Sequence, residues 1–216
     1  MKTSMDNTRF LQLGWVLFAA LGAVVLAGGF QGQTEKVGVV DITKVIEGSD
    51  FGKTNQATFT AMQTAREQLL DFIDNNRVMT LEQAVALRDL MLKPTRTPEE
   101  DAKLESMKAD AVAQTKRWQA LNTKSDISAE ERTLMEEYAK RAQTMNDQAQ
   151  KWVKEFTNEM QTWADRQKLA SLAKAKESIQ SVAKTQGFSY VLESSVAPYG
   201  ANDLSDAALQ DMNAKK

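Results

Sequence analysis

The chain has 216 residues, with 27 Lys and Arg against 29 Asp and Glu for a formal charge of −2, and it contains neither Cys nor His. These counts exclude disulfide staples, thiol chemistry, Cys/His zinc sites and any Ser-His-Asp triad, and so balanced a charge gives no electrostatic footing on nucleic acid. With 3 Pro and 10 Gly against plentiful Glu, Lys, Gln, Ala and Met, the composition fits long helices.

Met1 to Arg9 is polar and carries Lys2 and Arg9, and Phe10 to Phe30 then holds no charge and a single polar side chain, Gln12. Residues 1–30 therefore read as a signal peptide, with the small residues around Val25-Leu26-Ala27 before a cut. The alternative is an uncleaved anchor, because residues 10–30 match the roughly 20 apolar residues that span a bilayer. In both cases the basic flank stays inside and the chain after Gln31 lies outside the cytoplasm.

Residues 31–51 open a small head. Lys36 to Asp41 is β-branched and short, a strand over 36–41, and Ile42, Val45 and Ile46 share one side of a short helical turn. Gly48-Ser-Asp-Phe-Gly52-Lys53-Thr54 imitates a phosphate loop. It has three residues between its first Gly and the Gly-Lys pair where that loop needs four, and it does not directly follow the strand. The pattern assigns Gly52-Lys53 to the start of the next helix, and no cofactor is expected.

Residues 52–186 read as a long helical hairpin arm. Phe59, Met62, Ala65, Leu69 and Phe72 make a stripe, Asn75-Asn76 weakens the helix, and Thr80-Leu-Glu-Gln recaps it before Leu81, Ala84, Leu87 and Met91 resume. Lys93 to Glu100 is a break, with Thr97 as cap and Pro98 at the first helical position. Leu104, Met107, Ala111, Trp118 and Leu121 follow at three–four spacing. Ser128 to Gln186 then has no Pro and no Gly, and Ser128 with Glu131 forms a capping box. As one helix that stretch is roughly 87 Å long, too long for any compact domain to bury alone. Its seam runs through Met135, Tyr138, Ala142, Met145, Ala149, Trp152 and Phe156, takes an extra four-step at Met160 and Trp163, and resumes at Leu172, Ala175, Ile179 and Val182. Arms of equal length would turn near residue 119. This favours a tip at Thr123–Ile127 and one descending arm over 52–123 with a kink near Pro94; the competing reading puts the tip at Pro94–Pro98.

Residues 187–216 complete the head. Gly187 ends the rod, Phe188, Tyr190 and Leu192 alternate with Ser189, Val191 and Glu193 in a strand, and Val196 to Gly200 reads as a second strand with Pro198 at its end. Ser205 caps a last helix with Leu209 and Met212 as its apolar contacts. Strands this short bury too little to stand alone, and their open edges invite pairing with copies.

Several stretches together carry a resemblance. They are Lys36-Val-Gly-Val-Val-Asp-Ile-Thr-Lys-Val-Ile with Ser49 and Gly52-Lys53, then Ile179-Gln-Ser-Val-Ala-Lys, Gly187-Phe-Ser-Tyr-Val-Leu-Glu and Asn202-Asp-Leu-Ser-Asp, in this order around a long helical hairpin. Over roughly residues 35–212 the chain resembles the Skp/OmpH family of periplasmic chaperones. The resemblance implies a mainly α fold with a small β head, a long antiparallel helical hairpin projecting from a short-stranded sheet. It also implies a homotrimer whose heads join into a β-body, and outer-membrane β-barrel precursors as clients. On this reading Val37, Val39, Phe188, Tyr190 and Leu192 form the head core or subunit interface. The expected activity is an ATP-independent holdase without catalysis in the periplasm: a site that binds the unfolded chain and not the native one keeps it soluble by mass action. Met107, Trp118, Met145, Trp152, Phe156, Met160 and Trp163 are candidate client contacts, because Met adapts to varied partners and Trp offers large contact area. Stripes at helical spacing equally serve as the seam between two arms. A membrane-anchored coiled-coil spacer of the envelope is the alternative function.

Overall fold

A computed structural model describes residues 35–198, 200 and 202–215; the expected signal peptide or anchor, residues 1–30, lies outside them. The described chain is mainly helical with one two-stranded sheet, and it forms two compact units. One comprises described residues 35–58 and 162–215, the other Phe59–Gln161. The helical stretch expected over 52–186 is divided between them.

In the first unit, strand β1 (Val37–Val40) pairs in parallel with β2 (Tyr190–Glu193), Val37 opposite Tyr190 and Val40 opposite Glu193. Such a pairing needs a long crossover, which the whole intervening chain provides. Along its other edge, Val39 donates to the Asn202 carbonyl and accepts from the Leu204 N–H, both at 2.8 Å. The second strand expected over 196–200 is not formed by its described residues; a single bridge, Val39 to Asp203, takes its place. The reason is local. The Glu193 carboxylate accepts the Ser195 N–H at 2.6 Å, and the Val196 and Ala197 N–H groups fold back onto the Glu193 carbonyl. The chain turns where it would have to stay extended.

Helix α1 (Ile42–Gly48) is capped by Asp41, whose carboxylate accepts the Lys44 N–H at 2.9 Å. Helix α2 (Asp50–Asn75) starts against it. The Ser49 hydroxyl accepts the Gly52 N–H, and Asn213 accepts the Asp50 N–H, each at 2.9 Å. The N–H groups that an anion would seek at this helix start are thereby engaged. Helix α6 (Ser205–Ala214) begins one residue earlier than the expected cap implies. Leu204 is the N-cap without a side-chain bond, and the Asp203 carboxylate accepts the Ser205 N–H at 2.8 Å and hydroxyl at 2.6 Å. The core comprises Val40, Val45, Ile46, Ala175, Ala208 and Met212, with Ile42, Phe51, Leu172, Ile179 and Val191 packed on it.

Helix α5 (Ala129–Thr185) is the uninterrupted rod that the sequence requires, and its last 24 residues, 162–185, belong to this unit. Gly187 ends it at φ 71°, with the Phe188 N–H on the Ala183 carbonyl and the Gly187 N–H on that of Lys184. This paired bond pattern is the Schellman ending, which favours glycine because its conformation is left-handed.

The second unit holds residues 59–75 of α2, helices α3 (Leu81–Met91) and α4 (Pro98–Asn122), and residues 129–161 of α5. Thr80 with Gln83, Thr97 with Glu100, and Ser128 with Glu131 form capping boxes at the starts of α3, α4 and α5. Contacts along the helices give their directions. Arg66 pairs with Glu159 at 2.9 Å while Arg141 reaches the Val78 carbonyl at 3.4 Å, so α2 and α5 run antiparallel as a hairpin requires. The expected single descending arm over 52–123 is not what lies between. Leu81 lies beside Glu137 to Thr144 and Arg88 beside Glu155, so α3 runs back along α5 in its own direction. Gln114 contacts Arg141 at 3.4 Å while Leu121 packs with Tyr138, and Gln83 meets Gln114 while Lys93 meets Glu100 across the 92–97 turn, so α4 runs antiparallel to both α5 and α3. The result is an up-down-up-down four-helix arrangement with short connections.

The chain reverses three times, over 76–80, 92–97 and 123–128. Both sequence-predicted tips are turns, and the extra reversal is the first. There the Asn75 and Asn76 side chains take the Asp71 and Phe72 carbonyls at the end of α2, while Val78 and Met79 are buried. Met79 enters the main cluster and Val78 packs with Leu121 and Tyr138. Two inward-pointing apolar residues at a helix stop fold the chain back instead of letting it continue.

Candidate functional site

Two places in the molecule gather the residues that the sequence singles out. The first is the face of the sheet. In a strand alternate side chains share a face, and the register puts Val37, Val39, Tyr190 and Leu192 together on one side. The opposite side carries Gly38, Val40 and Val191 toward the core. Val37 is 41 % exposed, and Val39, Tyr190 and Leu192 are half-buried, so among the described residues this apolar side is only partly covered, Gly200 lying against Val39. Among the described residues the outer edge of β2 carries no strand. Phe188, expected on the same side as Tyr190, lies instead over Gly38, where an added Cβ would approach its ring to 3.1 Å. The Lys36 ammonium sits 4.0 Å from the ring centroid. The left-handed turn at Gly187 breaks the alternation before β2 begins.

Hydrogen bonds tie this sheet to the start of α6. The Asp41 N–H donates to the Ser205 hydroxyl at 2.8 Å, and that hydroxyl donates onward to Asp203. The Ser205 hydroxyl, its N–H and the Lys44 charge hold the Asp203 carboxyl below its ordinary range. Lys44 pairs with Asp206 at 2.8 Å.

The second place is the seam of the helical unit. Leu69 and Ile73 of α2, Ala84 and Leu87 of α3, Leu104 and Ala111 of α4, and Met145, Trp152 and Phe156 of α5 form one buried cluster with Met79. Trp152, 1 % exposed, is the largest fully buried side chain. Two guanidinium groups brace the aromatic pair: Arg88 lies 5.4 Å from the Trp152 ring and 5.6 Å from that of Phe156, and Arg66 lies 5.3 Å from Phe156. Glu159 and Glu155 balance their charges at 2.9 Å and 3.7 Å.

The seven candidate client contacts do not form an open patch. Met145, Trp152 and Phe156 are in the seam cluster, Met107 packs half-buried against it, and Met160 is buried. Trp118 packs half-buried beside Val78, Leu121 and Tyr138. Trp163 is half-buried within the residue range of the sheet unit. The seam role explains the three in the cluster, because their three–four spacing aligns them on the side of α5 that faces α2, α3 and α4. Sequence reasoning missed the arginines. In the sequence Arg66 and Arg88 read as ordinary surface charges, and only the spatial proximity of Phe156 distinguishes them.

A family model described as outer membrane protein (OmpH-like) matches residues 36–212. No curated protein and no solved structure matches the chain.

Proposed function

The chain belongs to the OmpH-like outer membrane protein family, whose members are periplasmic chaperones of the Skp/OmpH type, and from this premise we propose that it is an ATP-independent holdase for unfolded envelope proteins. Outer-membrane β-barrel precursors are its clients on this reading, and it works as a homotrimer joined through the sheet units. The family match over 36–212 carries the proposal. The apolar side of the sheet supports the oligomer: among the described residues Val37, Val39, Tyr190 and Leu192 are only partly covered, and an uncovered strand edge invites pairing between copies. Binding the unfolded chain in preference to the native one holds a client without hydrolysis, and release follows when insertion removes it from the equilibrium.

The test uses residues 31–216, measured for mass in solution and for suppression of aggregation of a urea-unfolded β-barrel protein on dilution. We expect a trimer that suppresses aggregation without nucleotide. Substituting Leu192→Asp should lower the mass while helix content is retained, because the charge sits on the sheet's open side. A monomeric wild-type protein without suppression would sink the reading.

A further inference from the structure

Helix α5 changes its charge along its length. Over 129–161 it carries five cations against seven acids. Over 162–185, the part in the sheet unit, it carries Arg166, Lys168, Lys174, Lys176 and Lys184 against Asp165 and Glu177. The rest of that unit, described residues 35–58 and 186–215, has the opposite balance, four cations against eight acids. The positive charge of the sheet unit is therefore gathered on one helix.

It is also gathered on one side of that helix. Ala175, Ser178 and Val182 of α5 are buried, and Leu172 and Ile179 pack beside them on the core. Turned away from these, at 3.6 residues per turn, lies a row spaced by threes and fours: Arg166, Leu169, Ala173, Lys176, Gln180 and Lys184. All but Gln180 are exposed, and Leu169, at 69 %, is the most exposed large apolar side chain among the described residues. Arg166, Lys176 and Lys184 make no ion pair among the described residues. Asp165 and Glu177 flank the row, and Glu177 is paired with Lys215 at 3.6 Å. A solvated helix face mixes the two signs, and one exposed leucine by itself needs no explanation. Here unpaired cations and the most exposed leucine share one face. The core lies between this row and the apolar side of the sheet, so assembly through the sheet does not use it.

We propose that this row docks the sheet unit on an anionic bilayer surface, with its cations on lipid phosphates and Leu169 in the headgroup layer. Cations beside an exposed apolar side chain on one helix face suit a membrane interface, where each Lys or Arg adds attraction to anionic lipid. Lipid phosphates are present all over such a surface, so the row needs no partner with carboxylates in matching register. The sequence adds a reason of reach. Residues 10–30 are long enough to span a bilayer, and residues 31–36 extend at most about 22 Å. A chain that keeps that anchor therefore holds the sheet unit at the bilayer surface. The docking goes beyond the holdase reading and needs no client.

Residues 31–216 contain every described element and lack the apolar run, so vesicle binding by this piece reads the folded chain alone. In flotation with vesicles of phosphatidylcholine mixed with phosphatidylglycerol we expect binding that fades as salt rises, and little binding to phosphatidylcholine alone. Arg166→Gln, Lys176→Gln and Lys184→Gln together should weaken it by about 100-fold, at roughly five-fold for each cation. Lys103→Gln, Lys116→Gln and Lys151→Gln remove the same charge from exposed positions of the helical unit and should leave binding unchanged. The chain has no cysteine of its own. An environment-sensitive fluorophore on Leu169→Cys should therefore shift to shorter wavelength on the mixed vesicles, while the same label on Val85→Cys of α3 should not. Equal binding to the two vesicle types, equal loss in the two triple variants, or an unmoved label at position 169 overturns the docking and leaves the holdase reading standing. A changed mass of the first triple variant without vesicles makes the row a contact between copies and also overturns it. Failure of residues 31–216 to suppress client aggregation sinks the holdase reading and leaves the docking standing.

Discussion

The helical unit hides larger side chains than the sheet unit does. Trp152, Leu69, Ile73, Met79, Leu87 and Met145 are fully buried in the first; in the second the largest fully buried side chains are Leu204 and Val45, joined by Ala175, Ala208, Ser49, Ser178 and Ser205. Large residues fill a core by themselves, at about 25 cal/mol for each Å² withdrawn from water. Small ones let backbones approach closely but withdraw little area, and their hydroxyls must find partners. In the sheet unit Ser181 of α5 donates to Asp211 of α6 at 3.1 Å, and Ser49 donates to the Ile46 carbonyl at 2.6 Å. The helical unit closes on its own core; the sheet unit couples a thinner core to a partly exposed apolar side.

The sharpest way to break this contrast is Trp152→Ala. Removing the largest buried side chain should destabilise the helical unit by roughly 3–5 kcal/mol. Arg88 would also lose one of its two aromatic partners. In chemical denaturation followed by circular dichroism and by hydrogen exchange at assigned amides, protection should collapse across 59–161 and persist in β1, β2 and α6. Equal loss in both sets would mean that the two units do not hold separate cores.

The converse substitution is Gly52→Ala. A Cβ at this position would lie 1.9 Å from the Ile46 carbonyl oxygen. The obstacle is backbone, so no rotamer change relieves it, and overpacking of this kind costs roughly 1–3 kcal/mol. The loss should appear in β1, α1 and α6 and spare amides of α3 and α4. Unchanged exchange in α1 would show that the approach of α2 to α1 is looser than the packing implies.

These two sites also mark what the sequence can disclose. The reason for Trp152 is legible, because Tyr138, Met145, Trp152 and Phe156 recur at three–four spacing and all become buried. The capping boxes are legible for a similar reason: a Ser or Thr followed three residues later by Glu or Gln specifies its own bonds locally. Gly187 belongs with them. The reversal at 76–80 is not legible in this way. Leu81, Ala84, Leu87 and Met91 continue a helical period whether the chain runs on or turns back, and only the tertiary burial of Val78 and Met79 decides. Ser171 and Ser178 are buried on the last part of the rod, yet a search for apolar periodicity passes over serine and selects Leu172 and Ile179, which are half-buried. Of the candidate site, the pattern finds the residues of the seam and of the sheet's open side. It does not find that the seam is covered by α3 and α4, or that Arg66 and Arg88 brace it, since both facts depend on which helices meet.

The smallest effect separates the units by acid. In the helical unit the carboxyls held below their ordinary value are Glu82, Glu99, Glu100, Glu130 and Glu131, all in first turns of α3, α4 and α5. In the sheet unit they are Glu193, Asp203 and Asp211. For Glu131 the Lys124 ammonium is the main cause and the Ser128 N–H the next. A depressed folded value means that the unfolded chain takes up protons first as pH falls, so the contribution is complete above the ordinary value of 4.5 and is lost as pH drops through the folded one. Glu131→Gln keeps an oxygen that can accept the Ser128 N–H but discards the ion pair and the titration. The denaturation midpoint of the helical unit should therefore fall less steeply in the variant than in the wild type between about pH 5 and pH 3, while the sheet unit titrates identically in both. Parallel slopes in the helical unit would assign its acid sensitivity to the four remaining first-turn carboxyls, and to the starts of α3 and α4 before that of α5.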